Sequence, residues 1–152
     1  MKINNILCPV DFSEHSDQAL KYATFLARTH DAKLTVLHVI EHLHGFDHYM
    51  ILALTPQEIN EKMEHEARIQ LESSVDRING GAKVETDVRV GKAFVEIIKK
   101  AKEDNIDLKV IGSHGRSGLA HTLIGSVAEK VTRKAPCPVL VVKNRDTTFA
   151  MP

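Results

Sequence analysis

The segment Gly112-Ser113-His114-Gly115-Arg116-Ser117-Gly118, followed by Gly125-Ser126-Val127, holds the residue types and spacing best suited to chemistry. Gly112 presents no Cβ to obstruct a ligand, and Gly115 and Gly118 can take left-handed turns that expose backbone N–H groups. Clustered N–H groups form a concavity for anions. Gly125 allows close approach at the start of a helical pattern, where unpaired donors and the helix dipole favour phosphate oxygens, and Ser126 adds a hydroxyl. Each charge–dipole contribution is about 0.3–1 kcal/mol, so several donors must act together to hold a triphosphate. No Gly-Lys-Ser/Thr of a Walker A loop occurs, and the Gly-x-Gly-x-x-Gly dinucleotide fingerprint is absent as well.

A second unusual stretch is Pro9-Val10-Asp11-Phe12-Ser13, which places a carboxylate just after a strand-like run. His38, His42, His44 and His48 invite a metal site, but zinc needs three or four ligands converging tetrahedrally, and an irregular connection gives no assurance of that. No dedicated metal site is assigned. The same connection, Glu41 to Leu54, carries Phe46, Tyr49, Met50, Ile51 and Leu52, and three readings stand: a fold over a ligand slot, packing on a partner, or a simply mobile loop.

Elements that position these residues follow from periodicity. Ile3 to Val10 reads as a buried strand, ended by Pro9, and Ser13 as the N-cap of a helix bearing Ala19, Leu20, Ala23, Leu26 and Ala27. Lys33 to Val39 is a second strand. Thr55-Pro56-Gln57-Glu58 combines a capping threonine, proline at the first helical position and glutamate three residues after the cap. That helix runs to Gly80-Gly81. Val84 to Val90 alternates as a less buried strand, and a helix starts near Lys92. Leu108 to Ile111 and Pro138 to Val142 are further strands, with a helix over Ser126 to Lys134 between them.

Strict alternation of strand and helix implies one α/β domain, a doubly wound five-stranded parallel sheet with helices on both faces, spanning residues 1–145 with a C-terminal tail at 146–152. With the order 3-2-1-4-5 assumed from that class, the sheet reverses between its first and fourth strands. Ligands collect at the carboxyl ends of strands at such a point, which is where both unusual segments fall.

Composition narrows the partners. The chain has 152 residues, 43% hydrophobic, and its 20 Lys and Arg balance 20 Asp and Glu, so no basic excess points to nucleic acid. Apolar runs are too short for membrane insertion, and a strand starting at Ile3 leaves no room for a signal peptide. Cys8 and Cys137, without CxxC spacing, read as reduced thiols of a cytoplasmic protein.

The spacing Gly112-x2-Gly115-x9-Gly125-Ser126 before a Pro-Val-Leu-Val-Val strand resembles the ATP-binding branch of the universal stress protein family. The opening Ile6-Leu7-Cys8-Pro9-Val10-Asp11-Phe12-Ser13 and Leu37-His38-Val39 are similar to the same family, so the resemblance spans nearly the whole chain. It implies that Pro9, Val10 and Asp11 border the adenosine, with Asp11 accepting from ribose hydroxyls or orienting a metal. By the same resemblance Val39 lines the adenine slot, Gly112, Ser113, His114, Gly115, Arg116, Ser117 and Gly118 wrap the ribose and phosphates, and Gly125, Ser126 and Val127 hold the phosphate tail. The function so implied is a nucleotide-dependent regulator in stress response that binds ATP with magnesium or manganese. It has no catalytic residues and hydrolyses little ATP; a slow ATPase or a binder of AMP or cyclic AMP is the alternative. The expected partners are an unidentified protein client and a second copy, in a homodimer built on the final strand, which lies at a sheet edge.

Overall fold

The computed structural model describes residues 2–41, 55–78, 81–115 and 124–144. Arg116, Ser117, Gly118, His42, His44, His48 and the tail at 146–152 lie outside the described residues.

Nine elements alternate as expected: β1 (Asn5–Val10), α1 (Glu14–His30), β2 (Lys33–Ile40), α2 (Pro56–Ile78), β3 (Lys83–Val90), α3 (Ala93–Glu103), β4 (Leu108–Gly112), α4 (Ser126–Lys134) and β5 (Val139–Val142). The sheet is parallel throughout with strand order β3-β2-β1-β4-β5. Local chemistry explains the helix ends. Ser13 caps α1, its Oγ accepting from the Ser16 amide, and Asp31 closes that helix in the left-handed region. Thr55 and Glu58 form a reciprocal capping box: Thr55 N and Oγ1 both donate to the Glu58 carboxylate, and Glu58 N donates to Thr55 Oγ1.

The period-two alternation of the strands sorts the core into two layers. Ile6, Cys8, Val10, Leu34, Val36 and Val110 face α1 and α2, packing on Ala19, Leu20, Ala23 and Leu71. Leu7, Leu37 and Ile111 face the other way, beneath Ile97 and Ala101 of α3 and Ala128 and Val131 of α4. The edge strand β3 carries its charge on one face, Lys83, Glu85, Asp87 and Arg89, opposite Val84, Val88 and Val90. Arg89 pairs with Asp87, Glu96 and Glu103, and Lys100 with Asp87 and Asp104, which blunts that edge. Among the described residues no helix is long and apolar enough to cross a membrane.

The ladders differ in length. β1 pairs with β2 from Asn5↔Lys33 to Val10↔His38, whereas β1 and β4 pair only at Ile6↔Leu108 and Leu7↔Lys109. Asn4 O accepts from Lys33 N on the β2 side and Asn5 O from Asp107 N on the β4 side. Hydrogen-bonding groups therefore alternate between the two neighbours, and position 9 faces β4. Pro9 has no N–H to give it, so the ladder stops and the two strands part before their carboxyl ends. Pro9 thus ends one of the two pairings of β1 rather than the strand itself.

Two positions break the packing rules expected of their types. Gly112 is where α1 meets β4: a Cβ there would lie 2.8 Å from both C and O of His15. The space it keeps clear is taken by the first turn of α1, not by a ligand. Lys109 sits in the row Leu7–Lys109–Val139, fully buried, and its Nζ has no hydrogen-bond partner among the described residues. Burial lowers the pKa of this amine from the ordinary lysine value.

Gly112→Ala should lose about 1–3 kcal/mol in denaturant unfolding, because the opposing atoms are helix backbone and cannot swing aside. For Lys109 the unfolded chain, titrating near 10.4 as free lysine does, binds more protons than the native state. Stability therefore rises with pH up to that range. Lys109→Met should raise the unfolding midpoint at neutral pH and flatten this alkaline rise, as read from melts between pH 7 and 10.

The candidate nucleotide crevice

Where β1 and β4 part, the loops that follow them close in from either side. After β1, Asp11 folds into an Asx-type turn: its Oδ1 accepts from Ser13 N at 3.1 Å and from Ser13 Oγ at 2.6 Å. Ser13 thus receives Asp11 with one hand and caps α1 with the other. The turn is completed by Phe12 in a left-handed conformation, φ 64°, which a bulky residue adopts only when its surroundings hold it there. His38 does the holding. Its ring stacks on Phe12 with centroids 4.3 Å apart, and its Nδ1 lies 2.8 Å from Val10 O, as a donor to that carbonyl. By alternation His38 projects to the α1–α2 face, so it braces the Val10–Ser13 turn from behind. Pro9 and Val39 project to the opposite face, shared with α4.

After β4 the chain is tied to β5 by Ser113 N donating to Val142 O. Ser113 is buried, and its Oγ shares a hydrogen bond of 3.0 Å with His114 Nδ1. Its hydroxyl therefore orients the His114 ring rather than a ligand. The two arms of the glycine loop are pinned together by Gly125 N donating to Ser113 O at 2.7 Å. A Cβ on Gly125 would come within 3.3 Å of His114 Cα and Ser113 O. On Gly115 it would come 2.7 Å from Asp11 Oδ2, across the crevice. Gly115 does not adopt the left-handed turn expected of it; the positive-φ glycines among the described residues are Gly81 and Gly91. It is needed for closeness to Asp11, not for a turn.

Two helices border this crevice, and they differ. The α1 N-terminus is satisfied by Ser13, whereas among the described residues no side chain caps α4, whose N-cap is Gly125. The amides of Ser126 and Val127 open the helix from its uncapped end, the arrangement that favours an anion. Of the expected site residues, Asp11 approaches Gly115, Ser113 and His114 meet Gly125, and Ser126 and Val127 open α4, while Pro9 and Val10 end β1, Val39 lies on β2 and Gly112 packs on α1. His15 was not anticipated. It is fixed on the first turn of α1 against Gly112, with its ring 5.3 Å from that of His114. Nothing in its local sequence distinguishes it from an ordinary helix-surface residue. Among the described residues no group of three or more His, Cys, Asp or Glu is placed to hold a metal ion.

A groove of about 380 Å³ between α1 and α2 includes Phe12, Asp17, Ile69, Ser74 and Arg77. Arg77 there meets Asp17 at 3.5 Å and Ser74 at 3.4 Å, and the groove lacks the open helix end of the crevice.

Known proteins share this arrangement. A profile described as the universal stress protein family matches residues 2–143. The universal stress protein MJ0577 of Methanocaldococcus jannaschii is 32% identical over 155 residues, which cover 93% of this chain and 96% of that protein. Its solved structure superposes with a TM-score of 0.80, covering 96% of this chain and 99% of the other. The universal stress protein YxiE of Bacillus subtilis is 32% identical over 92% of this chain and 99% of its own length. A universal stress protein of Archaeoglobus fulgidus, solved in complex with dAMP, is 25% identical with a TM-score of 0.66, covering 94% of this chain and 100% of that one. With the fold, the sheet order and nearly the full length in common, this chain belongs to the universal stress protein family.

Proposed function

We propose that this protein binds ATP in the crevice between β1 and β4, and that occupancy, rather than hydrolysis, is its output. The uncapped N-terminus of α4 facing the Asp11 turn across the glycine loop carries the reading. It offers anion-binding amides on one side and, within reach of the same cavity, a carboxylate suited to ribose hydroxyls. Val39 and Pro9 supply apolar surface for a base on the α4 side of the sheet. The dAMP complex of the Archaeoglobus fulgidus relative supports an adenine nucleotide and also favours a second reading, a monophosphate ligand. Magnesium or manganese fits as an ion carried on the phosphates, with Asp11 as the carboxylate in range. The protein acts in the cytoplasm as a nucleotide-dependent regulator read by a protein client.

Among the described residues the crevice offers ground-state binders and no group reserved for the transition state. Fast phosphoryl transfer requires a positioned nucleophile and a cation on the transferring group, and equal binding of both states accelerates nothing. Asp11 is committed to its turn through Oδ1, and Ser113 to His114. Turnover should stay below about 0.1 per second, against a median near 10 per second for enzymes.

Calorimetry with ATP, AMP and cyclic AMP tests the reading, with nucleotide extracted from the purified protein identified by mass spectrometry. ATP should bind at micromolar Kd, roughly −8 kcal/mol. Gly125→Val should abolish binding by prising the loop arms apart while the far-ultraviolet spectrum is kept. Wild-type affinity in that variant places the ligand elsewhere, and tighter AMP than ATP binding selects the monophosphate reading. Phosphate release above about one per second with magnesium or manganese would make the protein an enzyme, well inside the ordinary range.

The homodimer is proposed through β5, which ends the sheet. Val139 and Val141 pack toward α3 and α4, whereas Leu140 is 38% exposed on the other face. Leu140→Glu should yield monomers by light scattering without loss of helix content. A wild-type protein that is monomeric at high micromolar concentration rules this assembly out.

A further inference from the structure

We propose that Lys109 couples protons to the nucleotide crevice: proton uptake at its Nζ drives α4 off the sheet, and a nucleotide seated on the α4 N-terminus opposes that uptake. The coupling rests on the nucleotide reading above.

The argument starts from the side chain's surroundings. Leu108 and Val110 belong to the α1–α2 layer and Ile111 to the α3–α4 layer, so Lys109 projects beneath α3 and α4. Its register neighbours there are Leu7 and Val139, and the helices above present Ile97, Ala101 and Val131. The buried Nζ meets no hydrogen-bond partner among the described residues. Cys137, at the entry to β5, is the titratable group that acts on it, and burial pushes that thiol up, so it offers no thiolate at neutral pH. The Asp107 carboxylate is turned to the amides of Asn4 and Asn5. On α4, Lys130 and Lys134 lie over the Phe94 ring and are in any case of like charge. An ammonium here is uncompensated, and the structure must either leave the amine neutral or open to water.

The element that gives way is α4. At 9 residues it is too short to be helical on its own, and its seat on this face is Ala128 and Val131, with Val127 partly buried beside them. Its first turn is also the anion-binding end of the crevice. A ligand that requires α4 in place therefore disfavours the protonated, opened form, and by linkage protons disfavour the ligand. The open state takes up its proton as pH falls below about 10.4, whereas the closed state does so only at lower pH, so acidification favours opening.

Two measurements test this on the full chain. In nucleotide-free protein, amide-exchange protection of Ser126–Lys134, corrected for intrinsic rates, should fall as pH drops from 9.5 to 6. In Lys109→Met, which keeps an unbranched chain one atom shorter and loses the amine, it should stay level. ATP affinity should weaken on acidification more in wild type than in Lys109→Met, by up to about tenfold per pH unit, the limit for one linked proton. Comparing the two proteins cancels the nucleotide's own titration. Cys137→Ser should behave as wild type. Identical pH curves in wild type and Lys109→Met overturn the proposal, as does loss of the response in Cys137→Ser. Failure of both proteins to bind ATP overturns the nucleotide reading and the coupling with it, while the exchange data still decide whether the proton moves α4.

Discussion

Proline at position 9 has no amide hydrogen, and on β1 that position faces β4. The consequence reaches through the whole carboxyl end of the sheet. β1 stays zipped to β2 as far as Val10↔His38, yet it leaves β4 after Leu7↔Lys109. A parallel sheet whose order reverses between these strands already has a crevice there, because the connections leave in opposite directions. The missing donor extends the gap along the strands, and the loops after β1 and β4 fill its rim. Everything placed on that rim is then held by contacts made outside the gap: His38 and Phe12 behind the β1 turn, Val142 beside Ser113, and the first turn of α1 against Gly112.

The glycines illustrate how position and reason can separate. A Gly-rich stretch after a strand and before a helix marks an anion-binding loop in sequence, and the residues do gather at one crevice. Their physical roles differ from the simplest expectation of room for a ligand and left-handed turns. Gly112 makes way for helix backbone, Gly115 for the Asp11 carboxylate, and Gly125 for the opposite arm of its own loop. Composition reports that a Cβ is not tolerated; it does not report which neighbour forbids it, since that neighbour comes from a distant part of the chain.

The fold was legible because each level of the sequence agrees with the next. The Thr55–Glu58 capping box, the Ser13 cap and the apolar periodicities all appear where their chemistry demands, and strand ends differ by a residue or two. The sheet order could be assumed only from the class, since periodicity does not encode which strands pair. Three features escaped. His15 looks like any helix residue until Gly112 draws its turn against β4. Phe12 gives no sign of a positive φ, because the conformation is imposed by His38 rather than chosen by phenylalanine. Lys109 lies in a strand whose neighbours are apolar, and a lysine there reads as facing solvent; only the closing of α3 and α4 over that face buries it.

The two helices that open at the crevice show how the same end of the sheet can hold both a rigid and a yielding element. α1 is long, capped by Ser13, and seated against β4 so tightly that no Cβ fits between them. α4 is short, begins without a side-chain cap among the described residues, and rests on a layer holding an amine with no hydrogen-bond partner among them. An uncapped helix start is a cost in the empty protein, about 1 kcal/mol by comparison with a capped one, and an anion can offset it. Buried Lys109 is a second cost borne by the same layer. Together they leave α4 as the part of the crevice whose stability depends most on what occupies it. In a family whose members share the sheet, a binding event becomes a signal only where some element is poised to differ between the empty and the filled state. In the coupling proposed above that element is α4, on the side of the gap opposite the braced Asp11 turn.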